Sequence, residues 1–361
     1  MMFQSVEEIM YAGISDTVFP GAVLFISKDH HLMFHRAYGI RNIYTRESMS
    51  VDTIFDLASL TKPLATTLAI MKLYELQLLE LSVPLHKYLP ETQGTDKSDI
   101  TINQLLLHTS GLPAYKPYYK ELDPLPHSER KQTLLTWIIN EPLINPIGQR
   151  CVYSDIGFMV LLYVIERLTQ TSFDCFVKDA IYSPLNLKGF LLPCIPKKNQ
   201  EIAATEYCSW RHQVLEGIVH DENAYVVGGY HGHAGLFGTA WDVYELLAIL
   251  LYHYQKTSYS PLLSTNTIRD SLFQFKPDHR CLGFDIRSTS DSSSGHFFST
   301  KTVGHLGFTG TSFWMDLNQN VIVILLSNRV HPTRENNQIK KFRPLLHDQV
   351  MRCIFPELSV I

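Results

Sequence analysis

The sequence predicts an α/β fold of the α+β kind: a central antiparallel sheet built from both chain ends, flanked by helices, with a mainly helical lobe inserted between them. Three observations lead there. Paired β-rich runs lie near the start of the chain, a second pair lies near its end, and the stretches between carry apolar residues at helical spacing. In residue ranges, the expectation is a sheet lobe of 1–75 plus 236–361 and a helical lobe of 76–235, one domain overall, with a site between the lobes.

The elements follow in order. Gly21–Lys28 (GAVLFISK) and His31–Tyr38 (HLMFHRAY) are separated by a short polar turn and predict a hairpin. Helical periodicity then marks Leu60–Glu75, Ile102–His108, Lys131–Ile139 and Ile156–Leu168. Phe313–Leu317 and Val321–Ser327 flank Asn318-Gln319-Asn320 and predict a second hairpin. Loops are expected at Pro113–Pro126, Pro193–Lys198 and the polar Ser288–Gly295, and no internal repeat is visible.

Composition removes several classes of function. With 361 residues, 45% of them hydrophobic, the chain can bury a substantial core. Its 31 basic and 35 acidic residues leave a net charge of −4, without the basic footprint a nucleic-acid partner requires. The longest apolar runs, Phe158–Ile165 and Val321–Leu326, fall short of the roughly 18 residues of a membrane span, so no transmembrane segment is expected. Glu7 and Glu8 stand where a signal peptide needs a basic start and an apolar stretch, which predicts a cytoplasmic protein, or a periplasmic one if the true start lies upstream. Cysteines at 151, 175, 194, 208, 281 and 353 form no CxxC pair and read as reduced thiols. No cofactor is called for.

Ser59-Leu60-Thr61-Lys62 carries the strongest chemical signal. A helix starting at the serine puts residues three apart on one face, so the lysine amine can reach and activate the hydroxyl. The serine amide is then placed to steady a developing oxyanion, and Pro63 falls in the first turn, where its missing N–H costs little. A capping serine with a solvated lysine is the plainer reading of the same residues. Tyr153-Ser154-Asp155 precedes an apolar helix; a tyrosine near a lysine can shuttle protons to and from Ser59, while an ordinary turn with Asp155 as a helix cap is the alternative. Gly304-His305-Leu306-Gly307-Phe308-Thr309-Gly310-Thr311 leads into the last hairpin. Its glycines let a substrate backbone approach an edge strand and His305 supplies a donor facing the pocket, although a bulge or turn accounts for the same glycines.

The order of an SxxK, a YxN-like and a KTG-like element resembles the serine β-lactamase and penicillin-binding-protein superfamily, class C β-lactamase-like, which includes DD-peptidases and esterases. The likeness extends over most of the chain through Val83–Glu91 (VPLHKYLPE), Leu105–Pro113 (LLLHTSGLP), Ser183–Leu187 (SPLNL) and His233–Thr239 (HAGLFGT). The resemblance implies Ser59 as the acylated nucleophile, Lys62 as its partner and Tyr153 as the catalytic tyrosine. It implies Asp155, His305, Gly307 and Phe308 as the substrate-binding set, with the N–H groups of Ser59 and Phe308 as the oxyanion hole. It also departs from the pattern: Asp155 replaces an amide donor with an anion, and Leu306 replaces a hydroxyl that helps to bind a substrate carboxylate.

The function implied is a serine hydrolase working through an acyl-enzyme on Ser59, with a D-alanyl-D-alanine peptide, a β-lactam or a small carboxylic ester as substrate. The two departures favour an esterase or slow peptidase. The alternative is a non-catalytic module that binds penicillin or senses cell-wall fragments. Other constellations carry plainer readings. Glu141–Asn145 imitates an acidic deacylation loop but precedes Tyr153, and Ser154 fits a defective SDN register less well than Tyr153 fits its own. His231-Gly232-His233 with His220 and Asp221 lacks a second spaced pair, so no metal is expected, and His108 reads as a structural histidine beside the cleft.

Overall fold

Strand β1 (Gly21–Lys28) is apolar on both of its faces, and both are covered in the computed structural model, which describes residues 2–193, 200–257, 260–275, 280–288 and 292–360. It pairs antiparallel with β2 (His31–Asn42) through a two-residue turn in which Asp29 and His30 both take positive φ, +51° and +63°, matching the twist of a tight hairpin. In chain order the remaining strands are β3 (Glu47–Ser48), β4 (Phe55–Asp56), β5 (Tyr207–Cys208), β6 (Gln213–Val214), β7 (Phe237–Gly238), β8 (Asp285–Ile286), β9 (Thr302–Leu306), β10 (Ser312–Asp316) and β11 (Val321–Ser327). The second expected hairpin is β10–β11, and the Asp316 carboxylate accepts the Asn318 and Gln319 amides of its turn at 3.0 and 2.9 Å.

The sheet has seven strands in the order β3-β2-β1-β11-β10-β9-β8, all neighbours antiparallel. The two chain ends meet at the β1–β11 seam, where Phe25 faces Ile324. Alternation sorts the side chains. Ala22, Leu24, Ile26, Val323 and Leu325 pack outward with Val6, Met10, Leu346 and Val350 of helices Gln4–Ser15 and Ile339–Ile354. These two helices lie at chain ends where only strands were anticipated. Val23, Phe25, Phe313, Ile322 and Ile324 pack inward, in one core with Leu68, Leu247 and the helix Asp155–Thr169.

That helix is buried along Ile156–Ile165 and opens with Ser154, whose hydroxyl accepts the Gly157 amide at 3.1 Å. Helix Ile102–Leu106 begins at a Thr101/Gln104 capping box, and His127–Asn140 contains the expected 131–139 segment. The segment expected as helix Leu60–Glu75 is wound three ways: a 3₁₀ turn at Ala58–Leu60, a π-helix at Lys62–Thr67 and an α-helix at Leu68–Glu75. Pro63, which has no amide to donate, lies in the first turn of the π-helix. The expected loop at 113–126 includes a short helix, Tyr119–Leu122. Of the other two loops, 194–198 and 289–291 lie outside the described residues. No helix among the described residues is long and apolar enough to cross a membrane. Five cysteines, 151, 175, 208, 281 and 353, are free thiols, and Cys194 lies outside the described residues.

Candidate active site

Ser59 is delivered by a strained turn. Strand β4 pairs with β7, and two residues later Ala58 adopts φ +49°, a left-handed conformation that costs a non-glycine residue on the order of 1–2 kcal/mol. The buried Asp56 carboxylate holds this turn, accepting the Ala58 amide at 2.9 Å and the His220 amide at 2.7 Å. Thr61 closes the turn by donating its hydroxyl to the Ala58 carbonyl at 2.6 Å. Lys62 therefore sits one turn beyond Ser59, on the same face.

The Lys62 side chain is fully buried and its ammonium is surrounded. It donates to the Ser59 hydroxyl at 3.0 Å and to the His233 carbonyl at 3.1 Å, and it stands 2.6 Å from an Asp155 carboxylate oxygen. The rings of Tyr153 and Phe158 lie 4.9 and 5.8 Å from it. Burial works against its charge, but Asp155, and after it Tyr153, more than offset that penalty and hold the amine above its ordinary value. Lys62 rests as an ammonium.

The Tyr153 phenol lies beside Ser59 and Lys62, and both favour its ionised form. Burial raises its proton affinity, Lys62 opposes this and Asp155 adds to it, so that the phenol rests protonated. Its ring lies 4.7 Å from His108 and 6.0 Å from His305, with the Arg280 guanidinium 5.5 Å away. His108 is the structural histidine expected: its Nδ1 accepts the Ser154 amide at 3.0 Å. Ser154 itself donates to the Pro113 carbonyl at 2.6 Å while capping its helix, which leaves its hydroxyl no part in the cavity.

Around Ser59 lies a cavity of about 350 Å³, lined also by Tyr115, Tyr153, Asp155, Phe308 and Arg334. Phe308 is 48% exposed, and its N–H has no protein acceptor among the described residues. The carbonyl of the same residue accepts Arg329 Nε at 2.9 Å and Nη2 at 2.5 Å, which fixes the peptide.

Two expected members stand elsewhere. His305 is 1% exposed and does not face the cavity as a donor. It pairs with Phe313 across β9–β10, so the register turns it to the inner face of the sheet, behind the Tyr153 ring. Its Nδ1 bonds the Leu306 carbonyl at 2.9 Å, and the buried Nε2 is then an acceptor. Gly307 does not line the cavity either; its amide donates to the Thr311 carbonyl at 2.7 Å. A Cβ there would meet Thr311 Oγ1 at 2.0 Å and the Leu57 carbonyl at 2.7 Å, so this glycine lets the strand end close on the Ser59 loop.

Sequence reasoning passed over Arg334, Glu206 and Glu222, which form one wall with His220, Asp221 and His233. Arg334 donates through Nε to both Glu206 oxygens at 2.9 and 2.7 Å and through Nη2 to Glu222 at 2.6 Å. Glu206 also bonds His220 at 3.0 Å; burial works against its charge, but His220 and Arg334 hold its carboxyl down to about 2. His233 bonds Asp221 at 2.9 Å, and His231 packs edge-on to Tyr163 at 5.3 Å. Glu141 engages Lys116 at 2.9 Å and does not line the cavity.

The Beta-lactamase family profile matches residues 6–346. A protein of Salmonella agona (strain SL483) named "Putative D-alanyl-D-alanine carboxypeptidase" is 30% identical over 362 residues, spanning 90% of this chain and 82% of the relative. Among solved structures, EstCE1, described as a hydrolase with promiscuous acyltransferase activity, superposes with a TM-score of 0.76 at 20% identity over 97% of this chain and 98% of that one. The octameric penicillin-binding protein homologue from Pyrococcus abyssi gives 0.75 at 20% identity over 99% and 78%. Unliganded simvastatin synthase (LovD) from Aspergillus terreus gives 0.72 at 17% identity over 99% of each chain. The profile match over nearly the whole length, on a seven-stranded antiparallel sheet flanked by helices, establishes that the chain belongs to the Beta-lactamase family.

Proposed function

We propose that the chain is a serine acyl hydrolase in which Ser59 forms a covalent ester with the substrate acyl group, small carboxylic esters being the first substrate class. One observation carries the reading: a hydroxyl, an ammonium and a phenol in mutual contact at the wall of a cavity. Lys62 and Tyr153 both rest protonated, so the active form is the one from which the pair has lost a proton, and it grows with pH. In that form the pair accepts the Ser59 proton as Oγ bonds to the carbonyl carbon. The tetrahedral oxyanion is met by the N–H groups of Ser59 and Phe308. Collapse breaks the bond to the leaving group, which takes the proton, and water then attacks the ester, releasing the acid and free Ser59.

Asp155 and Leu306 support an ester over a β-lactam. The first presents a carboxylate engaged with Lys62 in place of an amide donor, and the second packs into the outer core, bringing no hydroxyl to the cavity. The test is intact-mass analysis after exposure to a short-chain p-nitrophenyl ester, a penicillin and a D-alanyl-D-alanine peptide. The expected result is an acyl adduct on Ser59 and rapid turnover of the ester. An equal adduct or full hydrolysis with Ser59→Ala overturns the reading, and absence of both adduct and turnover favours a non-catalytic binding module.

A further inference from the structure

Every cation at the cavity is already matched by an acid of the same chain. Among the described residues that line it, Arg334 is the sole permanent cation, and its guanidinium is shared between Glu206 and Glu222. Lys62, behind Ser59, is held by Asp155. The imidazoles of His220 and His233 each bond a carboxylate, Glu206 and Asp221. Arg329, under the Phe308 ring, donates to the Phe308, Arg334 and Asn336 carbonyls and does not line the cavity.

The threonine hydroxyls that follow Phe308 are spent in the same way. Thr309 gives its hydroxyl to the Asp56 carbonyl at 2.7 Å and Thr311 to the Leu57 carbonyl at 3.1 Å, both buried. Asp155, Asp221 and Glu222, meanwhile, all line the cavity.

We propose, building on the Ser59 acyl-enzyme reading, that this cavity selects acyl donors without a carboxylate, such as uncharged esters and amides, and discriminates against donors that end in a free carboxyl. An entering carboxylate meets one of two penalties. Either it displaces a glutamate from Arg334 and leaves that acid unpaired in a partly buried wall, or it sits unpaired among three carboxylates. An uncharged ester meets neither.

The experiment compares kcat/KM for meta-acetoxybenzoate and for its methyl ester, which share a leaving-group ring and differ by one charge, alongside a D-alanyl-D-alanine peptide and the same peptide amidated. The uncharged member of each pair is expected to be preferred by at least about ten-fold, the factor that corresponds to roughly 1.4 kcal/mol. Glu222→Gln should raise the carboxylate-to-ester ratio, because Arg334 loses one of its two acids. Equal or faster turnover of the carboxylate substrates by the native protein overturns the proposal. So does Arg334→Gln if it selectively abolishes carboxylate turnover, since Arg334 would then be binding that group; this second variant decides the matter if Glu222→Gln does not fold. Adducts on Ser59 with the opposite preference sink only this proposal, whereas neither adduct nor turnover with any of the four compounds sinks the acyl-enzyme reading and this proposal with it.

Discussion

The Asp155 carboxylate stands 2.6 Å from the Lys62 ammonium, and that ammonium is itself 3.0 Å from the Ser59 hydroxyl. The amine beside the serine is thus also held by an anion of its own chain. This ties proton loss at Lys62 to Asp155.

Asp155→Asn removes the leading influence that holds Lys62 above its ordinary value, so proton loss becomes easier. Ester hydrolysis by the native protein should rise with pH, and the rising limb should move to lower pH in the variant. Profiles of kcat/KM against pH for the two proteins check this. A limb that stays in place or moves to higher pH contradicts it.

Tyr153→Phe deletes the phenol while keeping the ring that packs against His108 at 4.7 Å and His305 at 6.0 Å. Acylation should slow by about 10²–10⁴-fold, the range of a lost proton shuttle, with little change in melting temperature. Pre-steady-state release of p-nitrophenol measures the step. A loss smaller than about ten-fold would count against a proton-transfer role for the phenol.

Gly307→Ala forces a methyl group toward the Leu57 carbonyl and Thr311 Oγ1, at 2.7 and 2.0 Å. Overpacking of this kind costs about 1–3 kcal/mol, and the strain falls on the loop that carries Ser59. Urea unfolding should show the loss, and ester turnover should fall with it. An unchanged midpoint and an unchanged rate would together refute the packing role.

Glu206 is held at about 2 in the folded protein against an ordinary 4.5, so its stabilising contribution is full above the ordinary value and is lost as pH falls through the folded one. The contribution is on the order of 3 kcal/mol at most. Urea midpoints at about pH 3 and pH 7 should differ less in Glu206→Gln than in the native protein. An equal acid sensitivity in the two would mean that Arg334 and His220 are not what hold this carboxyl down.

Much of the frame was legible because it is written in local periodicity. Gly21–Ile26 and Val321–Leu326 are apolar at every inward and outward position, and each became a strand buried on both faces. The apolar run after Tyr153-Ser154-Asp155 announced a helix, although Ser154 caps it and not Asp155, which is its first residue. The spacing of Ser59 and Lys62 needed only one helical turn to bring them together, and even a 3₁₀ turn followed by a π-helix preserved it. The outer helices Gln4–Ser15 and Ile339–Ile354 were overlooked, the second having Pro344 within it.

By itself, then, the sequence determined the two hairpins, the buried helix after Ser154 and the closeness of Lys62 to Ser59, because each rests on contacts among near neighbours in the chain. Only the tertiary structure decided that His305 turns behind Tyr153, that Asp155 reaches Lys62, and that Arg334 joins Glu206 and Glu222 in a closed wall. Side-chain direction and charge pairing at that range depend on strand register and on which distant segments pack together, and no pattern of adjacent residues encodes either.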